Sequence, residues 1–279
     1  MTPPAFSVLL PVYAGDSAPH FERAFSSATV EQTLRPSEVV VVRDGPVGPE
    51  LAAVLDHVRT TSVVPVAVIE LDHNVGLARA LAVGLDRCTH EIVARTDADD
   101  VCRPERFARQ VPLVESGYDI VGSAIQEFDD EARPGMVRTP PLTSAQIARG
   151  ARFHSPFNHP SVVYRKSVVS AAGGYEDLPL LEDYWLFARM ILAGAKGCNL
   201  PEPLLLYRIG AGAYARRGGS RLLRSEVELQ RRMRRAGFTS RSQMLRNLLV
   251  RGGYRLVPES LRKYFYQRLL ADRSGARRA

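Results

Sequence analysis

Three carboxylates crowd into one short stretch of the chain, where Asp97, Asp99 and Asp100 follow the apolar residues 92–94. Carboxylates this close repel one another, which raises their pKa values unless a cation lies among them. Their oxygen atoms are the ligands that Mg²⁺ and other hard divalent cations prefer. The stretch therefore indicates a metal site for a phosphate-bearing ligand. The alternative is a solvated turn in which aspartates cap the helix that begins near Pro104.

A second acidic pair, Glu182 and Asp183, opens a strongly helical segment. Asp183 precedes apolar residues by three, four and seven positions, so it should point with them into the protein, whereas Glu182 is rotated by about 100°. A carboxylate that a helix directs inward is a candidate general base. The alternative is that both acids only complement the helix dipole. Arg189, two turns after Glu182, is placed either to bind phosphate or to pair with that acid.

The elements that must position these groups form a repeating pattern of short apolar segments and segments with helical spacing. The predicted strands cover residues 6–12, 38–42, 63–71 and 92–94. The predicted helices between them cover residues 21–30, 48–61 and 74–88. This order is typical of an open parallel sheet with helices on both faces. Ligands bind such sheets at the carboxyl ends of the strands, where Tyr13, Asp44 and Asp97 are found.

The remainder of the body continues with mixed elements. We predict a helix over 104–116, a strand over 120–128, a polar mobile loop over 129–142 and a strand over 204–209. The sequence lacks a G-x-G-x-x-G motif after the first strand, and it lacks G-x-x-x-x-G-K-[ST] throughout. A dinucleotide dehydrogenase and a P-loop kinase are therefore disfavoured.

Charge divides the chain into two parts. Residues 216–279 carry 18 Lys and Arg against 4 Asp and Glu, whereas the rest carries 19 against 26. We expect a catalytic domain over 1–215 and a basic helical extension over 216–279. The helices predicted in this extension lie near 220–236, 240–251 and 258–271. A basic tail on an acidic body suggests a negatively charged partner, which is a membrane surface, a phosphorylated lipid or nucleic acid.

Composition indicates a reducing compartment. The three cysteines, Cys88, Cys102 and Cys198, are isolated and form neither a disulfide framework nor a zinc motif. No apolar run approaches the roughly 20 residues that span a bilayer, and the N-terminal segment has no basic region of a signal peptide. We therefore expect a cytoplasmic protein.

Several sequence blocks, in a fixed order, resemble the family 2 glycosyltransferases. The blocks are SVLLPVYAGD at 7–16, VVVVRDGP at 39–46, NVGLARALAVGL at 74–85, ARTDADDVCRPERF at 94–107, FNHPSVVYRKS at 157–167, GGYED at 173–177, LEDYWLFARMILAGAK at 181–196 and LPEPLLLYR at 200–208. The resemblance implies the GT-A fold, a Rossmann-like α/β fold with an open and mostly parallel sheet. The subgroup that is most similar comprises bacterial galactosyl- and hexosyltransferases that extend exopolysaccharide or lipid-linked glycan chains.

This resemblance implies roles for individual residues. The residues expected to contact the nucleotide are Pro11, Val12, Tyr13, Asp44, Gly76, Arg79 and Asp97. Among these, Asp44 is expected to pair with the uracil ring. Asp97 and Asp99 match the DxD motif that binds Mn²⁺ or Mg²⁺, with Asp99 as the more direct ligand, and Asp183 matches the catalytic base. Family members often have Asn where this sequence has Ala82.

The implied activity is inverting, metal-dependent transfer of a hexose, expected to be galactose, from a UDP-sugar to a hydroxyl of a lipid-linked or growing glycan. A polyprenyl-diphosphate-linked acceptor would place the protein at the inner face of the cell membrane, docked on anionic lipid through residues 216–279. Nucleic acid is then not an expected partner. Two rivals remain open: a nucleotidyltransferase acting on sugar phosphates, and a non-enzymatic protein that binds RNA or anionic lipid through its basic C-terminal helices.

Overall fold

The structure is a computed structural model that describes residues 4–209 and 220–253. The chain divides into two compact units. The first comprises Met1–Asp177 and Glu182–Ile209, and the second comprises Leu178–Leu181 and Gly210–Ala279. The expected boundary between residues 215 and 216 and the helix predicted over 258–271 lie outside the described residues.

The first unit alternates strands and helices along most of its length. Its strands are β1 (Phe6–Tyr13), β2 (Glu38–Asp44), β3 (Val66–Glu70), β4 (Ile92–Arg95), β5 (Val101–Cys102), β6 (Ile120–Phe128), β7 (Val137–Arg138), β8 (Val163–Arg165) and β9 (Gly197–Arg208). Its helices are α1 (Ala18–Ala28), α2 (Pro49–Thr61), α3 (Leu77–Arg87), α4 (Arg106–Glu115), α5 (Ser144–Gly150), α6 (Lys166–Ala171) and α7 (Glu182–Leu192). The alternation from β1 to β4 is the one that the apolar segments predict.

One sheet contains these strands in the order β3-β2-β1-β4-β8-β6-β9-β5, and β7 pairs with β6. The four strands from β3 to β4 are parallel, as expected for β-α-β units. Beyond β4 the sheet is mixed, because β8 is antiparallel to both β4 and β6, whereas β9 is parallel to β6. The parallel half thus presents its carboxyl ends as a binding edge, and the mixed half extends the sheet beside it.

Both faces of the sheet are covered, which explains why β1 is apolar at every position from Phe6 to Val12 except Ser7. Phe6 and Leu10 point to one face, where they belong to the same buried cluster as Phe21 of α1. Leu9 points to the other face, into a cluster with Leu81 of α3. Alternate residues of a strand face opposite sides, so every position of a central strand gains from burial, by about 1.5–3 kcal/mol for each large apolar side chain.

Two predictions about the mixed half were wrong in part. The segment 129–142, predicted to be a mobile loop, contains β7, which pairs with Ile125 and Gln126 of β6. The last strand begins at Gly197 rather than at 204, and it runs through Pro201 and Pro203. Proline interrupts a regular ladder, and the β6–β9 pairing is indeed shifted in register around Ala124.

The second unit contains helices α8 (Ser220–Arg235) and α9 (Arg241–Asn247), and α9 continues into a π-helical turn, Leu248–Gly252. Ser240 caps α9, because its hydroxyl accepts the N–H of Gln243 while the Gln243 side chain accepts the N–H of Ser240. The two predicted helices over 220–236 and 240–251 are therefore present. Among the described helices of the chain, none combines the length and apolar character that a bilayer crossing requires.

A buried ion pair joins the ends of this unit's described segment. Glu226 is fully buried and accepts hydrogen bonds from Arg251, Nε at 2.7 Å and Nη2 at 2.8 Å. Gln230, one turn further along α8, donates to Glu226 at 3.1 Å and accepts from Asn247 at 2.9 Å. This network fixes α8 against α9 and the π-helical turn, since breaking a buried pair leaves an uncompensated charge.

Candidate active site

The carboxyl ends of the parallel strands lie side by side along one edge of the sheet. Tyr13 ends β1 and Asp44 ends β2, and these two residues are partners in the β1–β2 ladder. Asp97 follows β4, which pairs with β1 on its other side. Tyr13 is 48% exposed, whereas Pro11 and Val12 are buried within β1. The structure thus brings the strand-end residues predicted to contact the donor to one edge.

Asp44 holds the loop that leads into α3. Its Oδ1 accepts the N–H of Val75 at 2.7 Å, and its Oδ2 accepts the N–H of Gly76 at 3.0 Å. Gly76, with a φ of 89°, is the last residue before α3, and Arg79 is exposed in the first turn of that helix. Asp44 therefore positions the start of α3, whatever else its carboxylate binds.

The three carboxylates after β4 form a cluster of hard oxygen donors. Their oxygens lie within 4.8 Å of one another across Asp97, Asp99 and Asp100. Burial raises the pKa of Asp100 well above its ordinary value, and Asp97 and Asp99 add to this increase. Its Oδ1 accepts the N–H of Arg208 at 2.9 Å, whereas its Oδ2 has no hydrogen-bond partner within residues 4–209 and 220–253. This donor set suits a divalent cation, which would offset the repulsion among the acids.

A fourth carboxylate lies near this cluster. Asp16, in the loop after β1, accepts the N–H of Tyr13 at 2.9 Å. Burial raises the pKa of Asp16 to about 7, and the charges of Asp99 and Asp97 contribute. Asp16 therefore interacts with the charges of Asp97 and Asp99, and a cation bound among these carboxylates would offset their repulsion.

One buried arginine is paired with the cluster. Arg95, the last residue of β4, is 1% exposed and forms an ion pair with Asp97. Its main-chain N–H donates to the carbonyl of Val162 at 2.9 Å, next to β8. The fixed positive charge of Arg95 lies close enough to the two acids at the start of α7 to oppose the increase in their pKa values.

Of these two acids, Glu182 is buried and Asp183 is half-buried. Burial raises the pKa of Asp183 to about 6. Burial raises the pKa of Glu182 to about 7, and the neighbouring charge of Asp183 adds to the effect. Glu182 is only 8% exposed, so the expectation that its rotation would separate it from Asp183 was wrong in part. The reason is that α7 is buried around most of its circumference, and a turn of 100° does not reach solvent.

Asp97 and Asp183 meet at one cavity of about 280 Å³, which lies within the first unit. Its lining combines acidic, basic, neutral polar and apolar side chains. The lining residues are Leu77, Arg95, Asp97, Ile125, Arg138, Ser155, Phe157, Asn158, His159, Pro160, Asp183 and Tyr207. Because the cavity joins a metal-type cluster to a carboxylate whose pKa lies near neutrality, it can hold a substrate between a charged leaving group and a proton acceptor.

Arg189 donates hydrogen bonds to two main-chain carbonyl groups. Its Nη1 donates to the carbonyl of Ala172 at 2.7 Å, and its Nη2 donates to the carbonyl of Gly174 at 2.6 Å. It forms an ion pair with Glu176 at 2.9 Å, whereas pairing with Glu182 was one of the two alternatives that its spacing left open. Arg189 thus satisfies carbonyl groups at the end of α6, where a helix lacks its own donors.

Comparison with known proteins decides the family. The sequence model described as glycosyl transferase family 2 matches residues 7–171, which is more than half of the chain. The chain belongs to glycosyltransferase family 2. The resemblance inferred from the sequence blocks is thereby confirmed, and the protein is a glycosyltransferase.

Full-length relatives agree. The glycosyltransferase is 37% identical to the amylovoran biosynthesis glycosyltransferase AmsE of Erwinia amylovora, over 97% of this chain and 100% of that protein. It is 33% identical to the UDP-Gal:alpha-D-GlcNAc-diphosphoundecaprenol beta-1,3-galactosyltransferase of Escherichia coli, over 96% of this chain and 97% of that protein. The expected likeness to transferases of exopolysaccharide and lipid-linked glycan synthesis is confirmed.

Solved structures share the fold. S. aureus TarS 1-349 in complex with UDP-GlcNAc superposes with a TM-score of 0.68 at 18% identity, covering 88% of this chain and 72% of that one. The mannosyltransferase PcManGT from Pyrobaculum calidifontis, in complex with GDP-Man and Mn²⁺, superposes with a TM-score of 0.66 at 19% identity, covering 98% of this chain and 76% of that one. The predicted GT-A fold is therefore confirmed.

Sequence reasoning missed two charged residues in the cavity of this glycosyltransferase. Arg95 could have been found, because an arginine at the end of an otherwise apolar buried strand is unusual. Arg138 lies on β7, and its Nε is 3.5 Å from Glu127 while its guanidinium stacks 4.9 Å from the centre of the Tyr207 ring. A strand of two residues leaves no periodic pattern, so no sequence signal indicated Arg138.

Proposed function

We propose that this glycosyltransferase transfers galactose from UDP-galactose to a hydroxyl of a lipid-linked glycan, with the aid of Mn²⁺ or Mg²⁺ and with inversion at the anomeric carbon. The observation that carries the proposal is that Asp97 and Asp183 line one cavity although they are far apart in the sequence. One belongs to a cluster suited to a metal, and the other is a candidate base. In metal-dependent inverting transfer, the metal lies on the leaving-group side of the sugar and the base lies on the opposite, acceptor side.

The nucleotide is proposed to lie along the carboxyl edge of β1 and β2. Tyr13 offers an exposed ring, and Pro11 and Val12 supply the strand backbone behind it. Asp44 uses one lone pair of each oxygen for the loop before α3, which leaves acceptor capacity for the uracil N–H. The start of α3, with Gly76 and Arg79, would lie beside the phosphates, because a helix N-terminus favours anions.

Asp97 and Asp99 are proposed to hold the divalent cation, with Asp99 as the more direct ligand. The three clustered carboxylates and the unpartnered Oδ2 of Asp100 support this choice. When bound, the cation offsets the charge that develops on the diphosphate as UDP leaves. PcManGT was solved with Mn²⁺, which makes that ion the first to test.

Asp183 is proposed to be the general base. The bond between the anomeric carbon and the UDP oxygen breaks with oxocarbenium character, while the acceptor oxygen bonds to the opposite face of that carbon. The acceptor hydroxyl proton passes to Asp183, and UDP takes the electron pair of the broken bond. With a pKa of about 6, Asp183 is largely ionised at pH 7 and able to accept a proton. A single displacement needs no protein nucleophile and converts an α-linked donor into a β-linked product.

The direct test is a transfer assay on the purified full chain with Mn²⁺. UDP-galactose is the donor, and a synthetic α-GlcNAc-diphospholipid is the acceptor, as the name of the E. coli relative suggests. We expect a β-linked galactosyl product, identified by NMR, that is absent with EDTA or with GDP-mannose. An α-linked product would refute inversion, and full activity in EDTA would refute metal dependence. Transfer rates with UDP-glucose and UDP-GlcNAc, compared with the rate with UDP-galactose, identify the preferred donor sugar.

The second unit is proposed to bind an anionic membrane, which would place the enzyme at the cytoplasmic face. Its described residues 220–253 carry nine arginines and two glutamates. Leu245, Leu249 and Val250 are 58%, 69% and 54% exposed, beside the exposed Arg241 and Arg246. Exposed apolar residues flanked by arginine on a short helix suit the interface of an anionic bilayer, where each basic residue contributes about 1 kcal/mol.

Vesicle sedimentation tests this docking. Leu245→Ser with Leu249→Ser should reduce binding to phosphatidylglycerol vesicles, and added salt should reduce binding of the unchanged protein. Val63→Ser is the matched control, because Val63 is 70% exposed in the first unit. Equal sedimentation of the double variant and the control would contradict membrane docking by this surface.

A further inference from the structure

Arg95 has more hydrogen-bond donors than the protein satisfies. The side chain is almost fully buried, and its Nη2 pairs with Asp97. Its Nε and Nη1 are buried and have no hydrogen-bond partner among the residues that the structure describes. Buried donors of a charged group are rarely left unpaired, since each costs the free energy of its lost hydration.

The neighbouring Arg106 shows that this fold can satisfy a buried guanidinium. Arg106 is also 0% exposed. Its Nε donates to Gln110 at 3.2 Å, its Nη1 to the Cys102 sulfur at 3.1 Å and its Nη2 to the Arg95 carbonyl at 2.6 Å. Every nitrogen of Arg106 therefore has a partner, as expected of a structural arginine. The two open donor nitrogens of Arg95, which no described residue satisfies, instead suit a bound ligand as their partner.

Arg95 lines the cavity that Asp97 and Asp183 share, so that partner enters there. The two carboxylates would repel a phosphate brought between them. The other walls include the basic Arg138 beside the apolar Leu77 and the neutral Ser155, so the lining carries charges of both signs. An uncharged molecule rich in hydroxyl groups fits this lining better than an anion does, since hydroxyl oxygens accept hydrogen bonds from a guanidinium without a net charge.

We propose that Nε and Nη1 of Arg95 bind hydroxyl oxygens of the donor hexose and so help to select the sugar; this rests on the proposed transfer from a UDP-sugar. The hexose of the donor is the chosen partner because the third nitrogen of Arg95 is bound to Asp97, which belongs to the cluster assigned to the diphosphate side. A sugar that lacks the contacted hydroxyl leaves a buried charge unpaired, and sites of this kind reject such analogues strongly.

The test compares binding of UDP with binding of UDP-galactose by calorimetry with Mn²⁺, in the absence of acceptor. Arg95→Lys keeps the charge that faces Asp97 but loses the planar fork. It should bind UDP as the unchanged protein does and bind UDP-galactose about ten- to hundredfold more weakly, the loss expected for one charge-assisted hydrogen bond. Arg106→Lys is the matched control, and it should keep the ratio of the two affinities even if it lowers stability.

If Arg95 only held Asp97 in place, a different result would be expected. Arg95→Lys would then weaken UDP and UDP-galactose equally, and that result would overturn the proposal. The unchanged protein provides a test that does not depend on folding of a variant: at least one monodeoxy UDP-galactose should bind about tenfold more weakly than UDP-galactose. Equal binding of all monodeoxy analogues would refute the contact. Failure of the unchanged protein to bind UDP at all would instead refute the proposed function.

Discussion

Replacement of Asp183 by Asn should strongly lower turnover and stabilise the protein. The structure raises the pKa of Asp183 from 3.8 to about 6 through burial. A rise of about two pKa units means that the ionised carboxylate costs the folded state about 3 kcal/mol. Asparagine is neutral, and its carbonyl can still accept the N–H of Tyr184, which Oδ1 of Asp183 accepts at 2.6 Å. Asp183→Asn should therefore gain up to about 3 kcal/mol in free energy of unfolding at pH 8.

The gain should depend on pH in a defined direction. The folded protein binds the Asp183 proton more tightly than the unfolded chain, so this group disfavours folding as pH rises from about 4 to about 6. The difference in free energy of unfolding between Asp183→Asn and the unchanged protein should be largest at pH 8 and shrink as pH falls towards 4. Urea unfolding at several pH values, without nucleotide or metal, measures it. Asp56→Asn is the control, because the Asp56 side chain is 73% exposed.

The same variant tests the chemistry. Loss of a general base lowers turnover by roughly 10²- to 10⁴-fold, whereas binding of UDP with Mn²⁺ should persist. A variant with near-normal turnover would remove Asp183 from the mechanism. A variant that is less stable than the unchanged protein at pH 8, or equally stable at all pH values, would show that the carboxylate is not strained by burial as the structure indicates.

Three further predictions concern the metal, the nucleotide loop and the second unit. Asp99→Ala should weaken Mn²⁺-dependent binding of UDP at least tenfold, and an unchanged calorimetric titration would contradict its role as a ligand. Gly45→Ala should also weaken UDP binding, because Gly45 has a φ of 85° and an added Cβ would lie 2.6 Å from the Asn74 nitrogen. UDP affinity equal to that of the unchanged protein would argue against this loop as part of the site. Glu226→Ala should cost roughly 3–5 kcal/mol, because it removes the buried carboxylate with which Arg251 forms an ion pair. The loss is measured as faster hydrogen exchange in α8 and α9, and unchanged exchange there would be inconsistent with a supporting role for the ion pair.

The parallel half of the sheet could be predicted from sequence because its signals are local. Each buried strand is a continuous apolar segment, and each is followed by residues with helical spacing. The ends of these strands then fix which polar residues meet, so Tyr13, Asp44 and Asp97 could be assigned to one edge from the sequence alone. The functional residues found in this way lie within a few positions of a strand end.

The mixed half could not be predicted to the same depth. The pairing of β8 between β4 and β6 and the two-residue strand β7 depend on contacts distant in sequence, which leave no local periodicity. The orientation of Glu182 depends on how completely α7 is buried, which a helical wheel does not reveal. The open donors of Arg95 are visible only when every neighbour has been placed.

The parallel and mixed halves of the sheet contribute residues to different parts of the proposed site. Strand ends of the parallel half supply the residues assigned to the nucleotide, whereas β7 and the segment before β8 supply Arg138, Ser155 and Asn158 to the cavity wall. Strand β7 and the segment before β8 belong to connections outside the β-α-β repeat, so they can change in length without disturbing it. A chimera that receives residues 129–160 from a relative should inherit that relative's acceptor specificity while it keeps its own nucleotide.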